Sequence, residues 1–414
     1  MAPPPGGGLA AQPNLAEGVW GLGPWWGSVS NEWRKFRRRR RLAIGVALLL
    51  GLTAAVTAYK AQPLGPFFSA QARAVSARQE VRYLEGSIGQ DRGSGKLLVR
   101  MALLSAQDAL ARATGKAPPP LGPLAQAAHR VMLAAHGHNV AWEHYAEAVV
   151  TWKDARFAMA HHVALGPGQN PRSGWWLVSQ VFSEPLVALY ALLAVMLASD
   201  VLGMEFSTRT WNRVWLDPPG RLRLMAAKGV LVLGVAVGVL VGGAVLLYGV
   251  GAAVFGSGHL WVVSEVTYLP VELHSYGGVA VAPQAFPTVL HPSQVVPAML
   301  SAFDVTAVLG SILPLTAILA AAALLGALVH QPAVVALLAA AWAQVPNMLM
   351  NYSGQPWLRW VPGTYLQFGL WLHNPGELGA LWPGATPTGG LLVSAGWIAV
   401  CAAVVAGCAG RVEL

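Results

Sequence analysis

The chain has 414 residues, of which 55% are hydrophobic and only 11% charged, whereas a soluble domain carries roughly a quarter charged residues. With a mean hydropathy of +0.50, that composition excludes an ordinary water-soluble globular protein and points to a chain folded in lipid. The formal charge of +9 does not argue for nucleic acid, because seven of the 27 basic residues fill eight positions, Arg34 to Arg41, directly before an apolar run. Basic residues so placed hold the end of a span on the cytoplasmic side.

Met1 to Gly23 is rich in Pro and Gly with few charges and is expected to be a flexible cytoplasmic tail. Trp25, Val29, Trp33 and Phe36 follow at spacings of four, four and three, one face of a short helix lying on the inner leaflet. Ser28, Asn31, Glu32 and Lys35 are expected off that face. Residues 1–41 thus form a cytoplasmic tail with an interfacial helix. Residues 42–59 are an apolar run just long enough to cross a bilayer; small residues at Val56-Thr57-Ala58 leave a cleaved signal peptide as the rival reading.

Residues 60–174 contain no spanning run and carry more basic than acidic side chains. Helical spacing is expected near Phe67 to Glu85, Lys96 to Thr114, Pro123 to Ala135 and Asn139 to His162, punctuated by Gly and Pro clusters. This is an expected helical domain outside the cytoplasm. Trp175-Trp176 then anchors a second span near Leu177 to Ser199. A charged loop at 200–228 follows, with Arg209, Arg213, Arg221, Arg223 and Lys228, which lipid would reject at about 2.5 to 3.5 kcal/mol per Arg or Lys.

Further spans are expected at Gly229 to Phe255, Ala298 to Val329, Ala333 to Met350 and Gly390 to Ala409. The segment Gly256 to Val296 reads as an outer loop with some strand or short helical content. His330-Gln331-Pro332 reads as an inner turn. Trp357, Trp360, Trp371 and Trp382, interrupted by prolines, read as short re-entrant or interfacial helices. The fold class is therefore an all-α polytopic membrane protein with six transmembrane helices, both termini cytoplasmic, and the helical extracytoplasmic domain between the first and second spans. Residues 175–414 hold spans two to six.

Few residues suggest chemistry. Gly93-Ser94-Gly95-Lys96 resembles the end of a phosphate-binding loop, but Gln90 and Leu97 stand where the pattern needs Gly and Ser or Thr. His129, His136, His138, His144, His161 and His162 lack zinc-hydrolase spacing and read as packing or surface residues. Cys401 and Cys408 lie seven apart in one apolar run, too far along a helix for a disulfide. No metal site is expected. Ionisable residues inside spans carry more weight: Glu184 before Pro185 in the second span, and Asp304 in the fourth, either line a translocation path or sit hydrated at the interface. Pro185 and Pro314 are expected to kink their helices.

The stretch from Ser199 to Gly229 resembles the signature loop of ABC exporter permeases of the type-two superfamily. Glu205, Thr210, Pro218 or Pro219, Arg221 and Lys228 fill the family's places, while Arg209 stands where the family usually has Gly. The resemblance implies that Glu205 to Leu216 is a coupling helix docking into a separate cytoplasmic ATPase. Trp211 and Trp215 would supply an aromatic face and Arg209 and Arg213 a basic one. It further implies a membrane permease subunit with no enzymatic activity or cofactor of its own, ATP and Mg being held by the partner ATPase. A second permease copy or paralogue and the lipid bilayer complete the expected partners. The competing expectation is a membrane-embedded sensor or scaffold whose helical ectodomain binds a ligand. An ion-coupled transporter is disfavoured by the scarcity of charge in the spans.

Overall fold

The computed structural model describes residues 22–38, 41–61, 70–88, 94–114, 117, 119–135, 142–165, 172–183, 186–207, 218–258, 261–266, 295–329, 332–350, 356–373 and 385–411. Most of these are helical. The first helix, α1 (Leu22–Arg38), precedes α2 (Arg41–Ala61). Four helices, α3 (Ala70–Ile88), α4 (Ser94–Ala113), α5 (Leu121–Ala135) and α6 (Trp142–His161), then pack each on the next. They occupy the four stretches where helical spacing was expected. Leu124, Ala127, Ala128 and Val131, three or four apart on α5, meet Met101 of α4 and Ala148 of α6 in a small core of their own.

Among the described residues four helices are long and apolar enough to cross a bilayer: Leu42–Lys60, Ala226–Phe255, Leu300–Leu325 and Pro387–Val404. They lie within α2, α9 (Pro218–Phe255), α10 (Leu300–Val329) and α13 (Pro387–Arg411). The expected second span is two helices, α7 (Gly174–Phe182) and α8 (Val187–Ser207), bent by 71° across the break. Glu184 and Pro185 fall within that break, outside the described residues. The expected fifth span falls on α11 (Pro332–Met350), which contains Pro346 and whose apolar stretch among the described residues, Val334–Gln344, is shorter than a span. Pro314 lies inside α10 without ending it.

Three strands tie the ends of these helices together. β1 (Ala164–Leu165) follows α6, while β2 (Trp261–Val266) and β3 (Val295–Met299) lie between α9 and α10. β1 pairs parallel with β2, and β2 pairs antiparallel with β3, in register Val262↔Met299 through Val266↔Val295. Pro297 sits in β3, an edge strand, where a missing N–H costs no ladder bond. The Gly174 N–H donates to the carbonyl of Gly256 (2.8 Å), and Lys60 at the end of α2 donates to Gln180 of α7 (2.8 Å). The sheet, the α3–α6 helices, the C-terminal ends of α2 and α9 and the start of α10 therefore share one end of the bundle. α1, the end of α8 and the start of α9 lie at the other.

The bundle core is apolar and tightly apposed. A Cβ on Gly251 of α9 would lie 2.9 Å from the Cα of Gly174, so α7 and α9 touch backbone to backbone, as small residues allow between helices in lipid. α1 corrects one expectation. Glu32 is buried at 5% exposure, whereas Trp33 and Trp26 face outward. The physical reason is spacing: Glu32 is three residues from Val29 and four from Phe36, on their stripe rather than off it. α1 packs on α9 and α2.

Two 3-10 turns, Pro356–Trp360 and Pro362–Tyr365, and the short helix α12 (Phe368–His373) lead from α11 toward α13. They occupy the Trp- and Pro-rich segment read as short helices. Its tryptophans divide: Trp357 and Trp360 are exposed, Trp371 is fully buried, and Trp382 lies outside the described residues.

Candidate functional site

The fourth expected span carries a stripe of buried residues at helical spacing: Asp304, Ala307, Val308, Ser311, Leu315, Ile318 and Ala322 of α10. Asp304 heads this stripe at 0% exposure, so within the chain it is a core residue and not a hydrated interfacial one. Ser179 of α7 is the side chain that acts on its carboxyl. Neither carboxylate oxygen, however, has a hydrogen-bond partner among the described residues. A carboxyl group left this way within a membrane bundle is costly in its charged form, and such residues mark functional sites.

α7 ends beside it for a local reason. The Ser173 hydroxyl caps the helix start by accepting from the N–H of Trp176 (3.0 Å), and the N–H of Ser183 closes the last turn on the carbonyl of Ser179 (2.8 Å). The helix ends at Phe182, with Ser183 as its C-terminal cap. Ser183 is left at the break with its buried hydroxyl unpartnered among the described residues. α12 closes over the same spot. A Cβ on Gly369 would stand 2.6 Å from the Ser183 Oγ, 3.0 Å from the Ala307 Cβ and 3.0 Å from the Phe182 carbonyl oxygen. Only glycine permits that approach.

Gln367, two residues earlier, is 1% exposed, and its amide Nε2 has no partner among the described residues. Its neighbour Leu366 is held to α10 through the Ser311 hydroxyl, which donates to the Leu366 carbonyl (2.9 Å). The site thus gathers a carboxyl from α10 and two hydroxyls from α7, with α12 packed beside them at Gly369. The arrangement offers an acceptor for a cation or a proton and donors for a polar group. Among the described residues no group of three potential metal ligands occurs.

The structure distributes the remaining sequence-derived candidates. Glu184 adjoins Ser183 in chain, but its own placement lies outside the described residues, as do those of Arg209, Thr210, Trp211, Arg213 and Trp215. Glu205 falls in the last turn of α8, which continues to Ser207. The expected turn at Pro218 to Arg221 is instead the first turn of α9; proline is favoured there because its missing N–H would be unpaired anyway. Lys228 lies at the start of the apolar stretch Ala226–Phe255, inside a helix that begins ten residues earlier at Pro218. It is 2% exposed and engages other groups within the chain, which removes it from a surface that a partner could grip. Of the histidines, His129 packs on the Trp152 ring (5.3 Å between centroids) and His161 on Phe157 (4.2 Å).

Ser179, Ser183 and Gln367 are functional candidates that reading the sequence missed. Ser179 and Ser183, four apart and leading into Glu184-Pro185, form a polar helical stripe that was legible in principle. Gln367 had no local signal. No family model, curated protein or solved structure matches the chain.

Proposed function

We propose that the chain is the transmembrane permease subunit of an ATP-driven ABC transporter, an exporter, coupling a separate ATPase to movement of a cargo across the membrane. In this reading α7–α8 is one broken span and α11 another, giving six with α2, α9, α10 and α13. Both termini are cytoplasmic, and the α3–α6 helices are extracytoplasmic. The observation that carries it is the distribution of parts between the two ends of the bundle. The basic stretch between α8 and α9 connects at the same end as the amphipathic α1, and the sheet and α3–α6 stand at the opposite end. An ATPase docking on the first end would pull on α8 and α9 directly, and both pack against α10, which carries Asp304. Such rigid-body motion of packed helices is how alternating access is achieved.

Asp304, with Glu184 as its expected companion, lies on the cargo path of this proposal. ATP and Mg belong to the partner, and the permease performs no bond chemistry. The experiment is purification of the full chain from its native membranes. An ATPase bearing a nucleotide-binding motif should co-purify, and charge reversal at both Arg209 and Arg213 should release it. Retention of the ATPase by the doubly reversed variant would overturn the coupling-helix assignment.

A sensor or scaffold is the second reading. It draws support from the separate core of α3–α6 and from a cavity of about 220 Å³ lined by Arg78, Gln107 and Leu110. Under that reading no ATPase co-purifies.

A further inference from the structure

A cavity lies away from Asp304, between the 3-10 turns and the outward face of α13. Its volume is about 700 Å³, within the range of small-molecule sites. Arg359, Trp360, Thr386, Gly396, Trp397 and Val400 mark its extent. On α13 it runs from Thr386, just before the helix, to Val400, about 20 Å at the helical rise. One leaflet's hydrocarbon is roughly 15 Å deep.

The groove is apolar along most of its lining. Arg359 is its one ionisable side chain apart from the phenol of Tyr365, and its guanidinium lies 5.2 Å from the Trp360 ring centroid. The rigid wall beside it is built by hydrogen bonds. The Trp397 indole donates to the Trp360 carbonyl (2.8 Å), and the Tyr365 hydroxyl donates to the Arg359 carbonyl (2.8 Å). Trp342 stands edge-on to Trp397 at 4.8 Å. Beyond these, Leu392 and Val400 are 75% and 56% exposed, and at Gly396 an added Cβ would meet nothing within 4 Å. An apolar trough on a helix read as crossing the bilayer, with an arginine and two tryptophans in its lining, has the polarity to take an amphiphile.

We propose that this groove holds an anionic phospholipid of the bilayer, its phosphate-bearing headgroup at Arg359 and one acyl chain along α13 past Gly396 to Val400. Charge complementarity selects the anionic headgroup over a zwitterionic one, and the open face of α13 admits the lipid sideways. The site rests on reading α13 as a membrane span, and it is independent of the ATPase proposal.

The test uses the full chain reconstituted into vesicles of phosphatidylcholine with a minor fraction of phosphatidylglycerol. A photoreactive group sits on the acyl chain of one lipid or the other, and labelled peptides are mapped by mass spectrometry. Phosphatidylglycerol should label the α13 peptide around Gly396 to Val400 about fivefold more than phosphatidylcholine at equal label, the contribution expected of one basic residue. Arg359→Gln should bring that ratio to one while labelling persists. Gly396→Leu, which displaces no protein atom, should suppress labelling by both lipids and so serves as the check if the Arg359 variant misfolds. Equal labelling by the two lipids in the unaltered chain would overturn the headgroup assignment. Labelling by neither would overturn the span reading. A cross-link between two copies of α13 in place of lipid labelling would assign the face to a second copy and also overturn the proposal.

Discussion

Two neighbouring regions of the bundle differ in how most of their buried polar groups are met. In the segment from Pro356 to Trp371 three are paired with backbone: the Thr364 hydroxyl donates to the Leu358 carbonyl (2.8 Å), the Tyr365 hydroxyl to Arg359 (2.8 Å) and the Trp371 indole to Thr364 (2.7 Å), although the Gln367 amide nitrogen of the same segment is not. On α10 and at the end of α7, the Asp304 carboxylate and the Ser183 hydroxyl are buried without hydrogen-bond partners among the described residues. Satisfied polar groups rigidify a fold, whereas unsatisfied ones cost about 1–3 kcal/mol each and call for an explanation. The difference assigns Thr364, Tyr365 and Trp371 to scaffold and marks Asp304 and Ser183 as a candidate site.

Substitutions should separate the two regions by what they damage. Trp371→Ala removes the largest fully buried side chain and its hydrogen bond, and should destabilise the protein by about 4 kcal/mol, read by denaturant unfolding in detergent. Gly369→Leu forces α12 away from α7 and α10 and should cost about 2 kcal/mol, with transport impaired through displacement of the cluster. Tyr365→Phe should cost about 1 kcal/mol.

The Tyr365 phenol also carries a pH signature. Burial pushes it up from its ordinary 10.0 to about 12, while the Arg359 charge pulls the other way. A phenol that ionises later when folded contributes its full stability below pH 10 and loses it as pH rises toward 12. Alkaline unfolding of the unaltered chain should show this loss, and the Tyr365→Phe variant should not. Opposite in sign, Ser183→Ala deletes a buried hydroxyl with no hydrogen-bond partner among the described residues and should leave stability unchanged or raise it by about 1 kcal/mol. A large loss there would erase the contrast, because it would make Ser183 part of the scaffold.

Much of this architecture was legible in the sequence because lipid leaves few choices: apolar runs must be helices, and charges must leave or be buried. The apolar runs gave α2, α9, α10 and α13, and polar-apolar spacing gave α3 to α6 near their observed bounds. Asp304 was visible as a lone carboxylate in an apolar run. Its burial was not, because burial depends on α7 and α12 arriving from distant parts of the chain. Glu32 shows the same limit at closer range, since its spacing places it on the buried stripe while its charge suggested the opposite face. Gln367 was hidden for want of any periodic signal in a segment of 3-10 turns. The start of α9 was misjudged because Pro218-Pro219-Gly220 reads as a turn, although proline also suits a first helical turn.

The central claim is that ATP hydrolysed by a partner opens a path past Asp304. It is tested most directly by changing both cysteines, Cys401 and Cys408, to alanine, introducing Asp304→Cys, and labelling with a membrane-impermeant maleimide in native membranes. The account predicts that position 304 reacts in one nucleotide state and is protected in the other, with the switch produced by ATP and held by vanadate. Reactivity that is the same with and without ATP, or absent in both states, would contradict it.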